Sequence, residues 1–261
     1  MRKARIEVIM GKVEFETVLV EATRLPIVQV DRELFLRKEL RGRYTKEIVD
    51  KAIEYNPTYA GIEKKVLNEI AKSCINAETT RVTAISAAAG LPGGLAMIGT
   101  IPADLAQYFG HLLRVLQELL YLYGWPSLEV NKTELDEETK YLLTLFLGIM
   151  FGVNGAIDAV NKIAGQVAKQ VAKKLPQKAL TKGVIYPIVK KIAALLGVKM
   201  SKDIFAKGVS KAVPVIGAIV SGGLTLATFK PMCERLRKYL SSCEVSQIES
   251  YNNIIDESIS E

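Results

Sequence analysis

Histidine and tryptophan each occur once in this chain, and cysteine three times. One histidine and the scattered Cys74, Cys233 and Cys243 give no ligand spacing for a metal. The odd, unpatterned cysteine count gives no disulfide framework. The expectation is therefore no metal, no cofactor and a reducing compartment. Aromatic residues make up only 7% of the chain, which argues against a sandwich of aromatic-rich strands. Catalytic signatures are missing as well. Gly90-Leu91-Pro92-Gly93-Gly94 has neither the lysine and hydroxyl residue of a phosphate-binding loop nor the GxGxxG spacing. No G-x-S-x-G elbow supports a serine nucleophile. The opening MRKARIEVIMGKVEFE lacks a signal-type apolar run, and Arg2 rather than glycine follows Met1. The chain is expected to be cytoplasmic, peripheral at the inner face of the membrane.

Acid is scarce over one long block. From Asn161 to Cys233 the only acidic residue is Asp203, among many lysines, whereas Glu244 to Glu261 is acidic and has no Lys or Arg. A basic block within a net charge of +7 points to an anionic partner. Lys169, Lys173, Lys174, Lys190 and Lys191 are the candidates for contact with an anionic surface. Arginine is absent from 162–211 and aromatics are few there. Specific nucleic-acid recognition, which leans on both, is not expected.

What the chain does have is long stretches without charge: 82–103, 141–157 and 212–229. A membrane span needs about 20 apolar residues, so these approach spanning length. They are rich in Ala and Gly, however, and the mean hydropathy is only +0.18. The glycine-proline break at 90–94 falls inside the first run, where irregular backbone would need protein or water around it. Small residues at four-residue spacing, such as Gly148/Gly152 and Gly217/Ser221, let helices approach closely. With 49% hydrophobic residues, burial in a helical core is the favoured reading.

Helix signals recur along the chain. Residues 12–24 fit both a strand-like alternation and an apolar helical face, of which helix is the reading taken, ended by Pro26; Asp31 caps RELFLRKEL and Thr45 caps KEIVDKAIEY. A long helix is expected over 61–89, and another from Pro102 to Tyr123 with Gly124 as its cap. A further pattern begins after Asp136 and continues to Leu175. Helices over 177–197, with a kink at Pro187, and over 201–211 follow. The run 212–229 then passes into an amphipathic helix, 230–240. The expected architecture is all-α: one compact multi-helix bundle over 1–245 with two Gly-rich apolar helical hairpins, and an acidic, flexible tail at 246–261.

Polar residues at helical spacing supply the candidate binding site. Asp104, Gln107, His111, Arg114 and Glu118 form one stripe, facing away from Phe109, Leu112, Leu116 and Leu120. Asp104 and His111 stand about 10 Å apart along a helix axis, too far for a direct dyad without a third group between them. Asp104 also suits the positive end of its helix. A second cluster, Asn154, Asp158 and Asn161, shares another helical face, and Arg114 could pair with Asp158 if both clusters turn inward. Exposure of that cluster is the alternative.

Three segments resemble the EcsC protein family: LPIVQVDRELFL (25–36), GLPGGLAMIGTIPADLAQYFGHLLRVLQELLYLYGW (90–125) and KAVPVIGAIVSGGLTLATF (211–229). The likeness covers most of residues 12–240. A related domain found beside GTPase domains has a similar layout, but GTPase motifs are lacking here. The resemblance implies a link to membranes and singles out Asp104 and the Pro214–Gly217 turn. It brings no catalytic residue set.

Together these readings lead to a non-enzymatic protein associating with a membrane surface or a membrane protein complex, with a lipid as a candidate ligand. The competing expectation is an enzyme or small-molecule binder whose pocket is lined by Asp104 and His111. Pore formation is a third class and would require the apolar hairpins to insert.

Overall fold

In a computed structural model, the described residues are 15–89, 97–98, 101–128, 130, 135–170, 187–195 and 214–247. They form an all-α fold. The helices are α1 (Phe15–Thr23), α2 (Arg32–Leu40), α3 (Lys46–Glu54), α4 (Lys64–Ala89), α5 (Ala103–Leu122), α6 (Glu137–Met150), α7 (Ala156–Gln170), α8 (187–195) and α9 (Pro214–Ser242). Short 3-10 turns lie at Pro26–Val28 and Glu244–Ser246. Between α4 and α5, β1 (Met97–Ile98) pairs antiparallel with β2 (Ile101–Pro102) in the register Met97↔Pro102 and Ile98↔Ile101.

Local chemistry sets several helix ends. Asp31 accepts the Leu34 amide at 2.8 Å to start α2, and Asp136 accepts the Thr139 amide at 2.8 Å to start α6. Each satisfies an amide that the first turn would otherwise leave unpaired. The partly buried Arg32 closes the other end of α3. Its guanidinium donates to the carbonyls of Ile53 at 2.6 Å and Tyr55 at 3.0 Å, a cation at the negative end of a helix.

The core is built around α5. From Tyr108 to Leu122 nearly every side chain on it is buried, Arg114 excepted. It packs against α1, α2, α4, α6, α9 and the Pro26–Val28 turn. Aromatic contacts tie the layers together: Trp125 meets Phe146 edge-on at 4.9 Å, and Phe109 stacks with Phe151 at 6.0 Å between centroids. Along one side, α9 runs against α4 in the most extensive helix pairing among the described residues.

Two expectations are corrected here. The pattern read as one helix from 136 to Leu175 is broken into α6 and α7. Gly152 sits at φ 66, the Val153 amide reaches Gly148 O at 2.8 Å and the Gly152 amide reaches Ile149 O at 3.0 Å. These paired bonds close the helix around a left-handed residue, a conformation glycine adopts without steric cost. Arg235 of α9 adds a hydrogen bond to the Met150 carbonyl. The second correction concerns 212–229. Its described part is not a hairpin but the first half of α9, which continues through Pro231 to Ser242. The Pro214–Gly217 turn is the opening turn of that helix, where a proline lacks no needed bond.

The glycine spacing of α6 has a packing role. A Cβ on Gly148 would lie 2.8 Å from Ile192 Cγ2 and 3.1 Å from Ala156 Cβ. The missing side chain thus lets α8 seat Ile192 at the corner between α6 and α7. No helix among the described residues is long and apolar enough to cross a membrane. Of the expected helix over 177–197 only 187–195 is described, as α8, while 201–211 and the tail beyond Gln247 lie outside the described residues. Val245 and Ser246 are buried against the body.

Candidate functional site

The polar stripe of α5 is not a solvated face. His111 and Glu118 are buried, Arg114 is partly buried and Gln107 intermediate. The partner that draws them inward is Glu78 of α4. His111 Nδ1 lies 2.7 Å from Glu78 Oε2, and both side chains are only 1% exposed. Arg81, one turn further along α4, hydrogen-bonds the other carboxylate oxygen of Glu78. Arg114 Nε stands 3.2 Å from Glu78 Oε1 and 3.0 Å from Glu118 Oε1, within ion-pair distance of both. Two carboxylates and two guanidiniums therefore balance one another around a buried imidazole.

This cluster also fixes the Pro26–Val28 turn. Arg114 Nη1 donates to Ile27 O at 3.1 Å, and Gln117 Nε2 donates to Val28 O at 2.7 Å. Carbonyls that a short turn leaves unpaired are thus satisfied by α5 side chains. Arg114, which pairs with both carboxylates, thus also helps hold the preceding segment across the central helix.

Electrostatics separate the two acids. Burial pushes the Glu78 carboxyl up, but the hydrogen bond and charge of His111, with those of Arg81, outweigh it and hold it below the usual carboxylate range. Burial pushes Glu118 up to about 7; Arg114 opposes the rise, while Glu78 and Glu39 add to it. Burial likewise raises the Cys74 thiol, with Glu118 and Glu39 contributing. A thiol held protonated is a poor nucleophile.

Such a network can hold helices together. A general base must reach the proton it removes. His111 Nδ1 is occupied by Glu78, and its buried Nε2 has no hydrogen-bond partner among the described residues. No group of three or more His, Cys, Asp or Glu among the described residues could hold a metal ion.

The remaining candidates are dispersed. Asp104 stands in the first turn of α5 and Lys169 near the end of α7, and their side chains lie outside the described residues, as do Lys173 and Lys174 altogether. Asp158 is exposed on α7 and does not meet Arg114, which is taken up by Glu78 and Glu118. The neighbouring Asn161 Oδ1 instead accepts the Tyr239 hydroxyl at 2.8 Å. Lys190 and Lys191 are exposed on α8.

Glu78 is the residue that sequence reasoning passed over, although a signal was present. It falls in phase with Ala71, Ile75 and Val82, all buried on α4. An acid at a core position requires partners.

Around α8 the surface has a different character. Ile192 and Val189 face the core, while Lys191 and Leu195, one turn apart, face out; Leu195 is 40% exposed. Ile157, which follows the Ala156 that flanks Ile192, is 46% exposed. Exposed lysines and an exposed apolar side chain thus share the short helix α8, which seats at Gly148 of α6 beside the start of α7. No protein-family model, curated protein or solved structure matches the chain.

Proposed function

We propose that this is a non-enzymatic, EcsC-like helical protein that docks on an anionic membrane surface, or on a membrane protein complex, with its α8 corner. The observation that carries the reading is the pairing of exposed Leu195 and Ile157 with exposed Lys190 and Lys191. Lysines beside apolar side chains favour the interface of an acidic bilayer, where charge and apolar burial act together. The lysine-rich sequence of 162–211 supports the same polarity. The closed charge cluster of α4 and α5 supports a structural rather than a catalytic use of the only histidine. A cytoplasmic protein held at the inner face of the membrane accords with this reading, and a lipid is its natural ligand.

Flotation of the full chain with anionic and with neutral vesicles tests the proposal. Binding is expected on the anionic vesicles, falling as salt rises. Each lysine near an acidic surface contributes about 1 kcal/mol. Lys190→Ala with Lys191→Ala should therefore weaken binding by roughly 30-fold. Equal recovery with both vesicle types, or binding indifferent to the double substitution, contradicts the proposal.

A further inference from the structure

A second basic feature lies elsewhere, where α4 and α9 run together. Lys65, Asn68, Glu69 and Lys72 form one stripe of α4, and Arg237, Lys238 and Ser241 face them from α9 across a groove of about 510 Å³. The groove has a fixed floor. Asn68 Oδ1 accepts the Tyr123 hydroxyl at 2.8 Å and Arg237 Nη1 at 2.6 Å, and Asn68 Nδ2 donates to Ser241 Oγ at 3.2 Å. Arg237 Nε is held by Glu234 at 2.7 Å. The guanidinium is therefore held at two of its nitrogens, Nε and Nη1.

The charges do not cancel as they do beneath α5. Glu69 is taken up by Arg43 at 3.1 Å and Glu234 by Arg237. Lys65, Lys72 and Lys238 are left without a carboxylate partner among the described residues. Cations converging on a cleft with an immobilised guanidinium suit a ligand with several charged oxygens. A volume of about 510 Å³ is within the range of small-molecule sites.

We infer that the α4–α9 groove binds a phosphate-bearing anion, with Arg237 as the positioned donor and Lys65, Lys72 and Lys238 as surrounding cations. The phosphate can belong to a soluble phosphoester or pyrophosphate, or to the head group of an acidic lipid. This site is separate from the α8 corner and does not depend on it.

The test is calorimetric titration of the full chain with pyrophosphate in vesicle-free buffer, with sulfate at matched ionic strength as control, beside flotation with phosphatidic acid vesicles. The variant carries Lys65→Gln, Lys72→Gln and Lys238→Gln, all exposed positions. Arg237→Lys is a second variant, which keeps the charge and loses the fork. Each lysine removed should weaken binding on the order of tenfold. Pyrophosphate binding by the wild type in preference to sulfate, lost in the triple variant, supports a soluble phosphate ligand. Binding only to phosphatidic acid vesicles, lost in the triple variant but kept by Lys190→Ala with Lys191→Ala, supports a lipid source. No binding in either arm, or equal binding by wild type and triple variant, overturns the inference. Loss of vesicle binding in the α8 variant alone would bear on the membrane corner and leave pyrophosphate titration of the groove intact.

Discussion

Helix α4 carries two charge clusters a few turns apart, and they obey opposite rules. Near its middle, Glu78 is buried with His111, Arg114 and Arg81 around it, and acid balances base. Near its start, Lys65 and Lys72 face an open groove in which base exceeds acid. Desolvation explains the contrast. A charge removed from water must find a partner at once, whereas an exposed charge can remain uncompensated because solvent screens it. Compensated charge therefore serves the fold, and surplus charge is available to something outside it.

The sharpest way to break this comparison is to remove the acid at the buried centre. Glu78→Ala should cost about 3–5 kcal/mol, since a guanidinium and an imidazole lose a buried partner. Chemical denaturation would detect this as a lower midpoint.

Acidity sharpens it next. Glu118 has a folded value raised from 4.5 to about 7, so the folded state holds its proton more tightly than the unfolded one. Its contribution is fully present below about 4.5 and is lost as pH rises to about 7, amounting to about 3 kcal/mol. Glu78, shifted downward, acts in the opposite sense: its contribution is present above its unfolded value and is lost as pH falls through its folded one. Glu118→Gln should flatten the stability profile between about pH 4.5 and 7 and leave the acid limb set by Glu78. A profile unchanged by that substitution would show that Glu118 is not the titrating group.

An uncharged benchmark comes from α6. Alanine normally favours a helix interior over glycine by about 1 kcal/mol. At Gly148 the new methyl would meet Ile192 and Ala156, so Gly148→Ala should instead destabilise by about 1–3 kcal/mol. Thermal melts would check the sign. The smallest effect belongs to the groove: Lys65→Gln, Lys72→Gln or Lys238→Gln should each alter stability by no more than about 0.5 kcal/mol.

Sequence periodicity and caps revealed much of this fold, because those signals are local. Asp31 and Asp136 mark helix starts, and Gly124 a helix end, where they were expected. The break at Gly152 was hidden because the apolar pattern runs on in phase across it, and only the positive φ distinguishes a turn from a helix. The α5 stripe was legible as a set of residues but not as buried. A polar row on a helix looks the same whether it meets water or an acid from another helix, and Glu78 lies far away in sequence. The groove combines α4 with α9, so its convergence is a property of tertiary packing alone. Lys65 and Lys72 by themselves read as an ordinary solvated face.

Paired urea titrations of Glu78→Ala and of the triple lysine variant, against the wild type in one buffer at pH 7, test the division of charge most directly. The account predicts a large fall in midpoint for Glu78→Ala and almost none for the lysine variant. Comparable losses in both, or a Glu78→Ala protein as stable as the wild type, would contradict it.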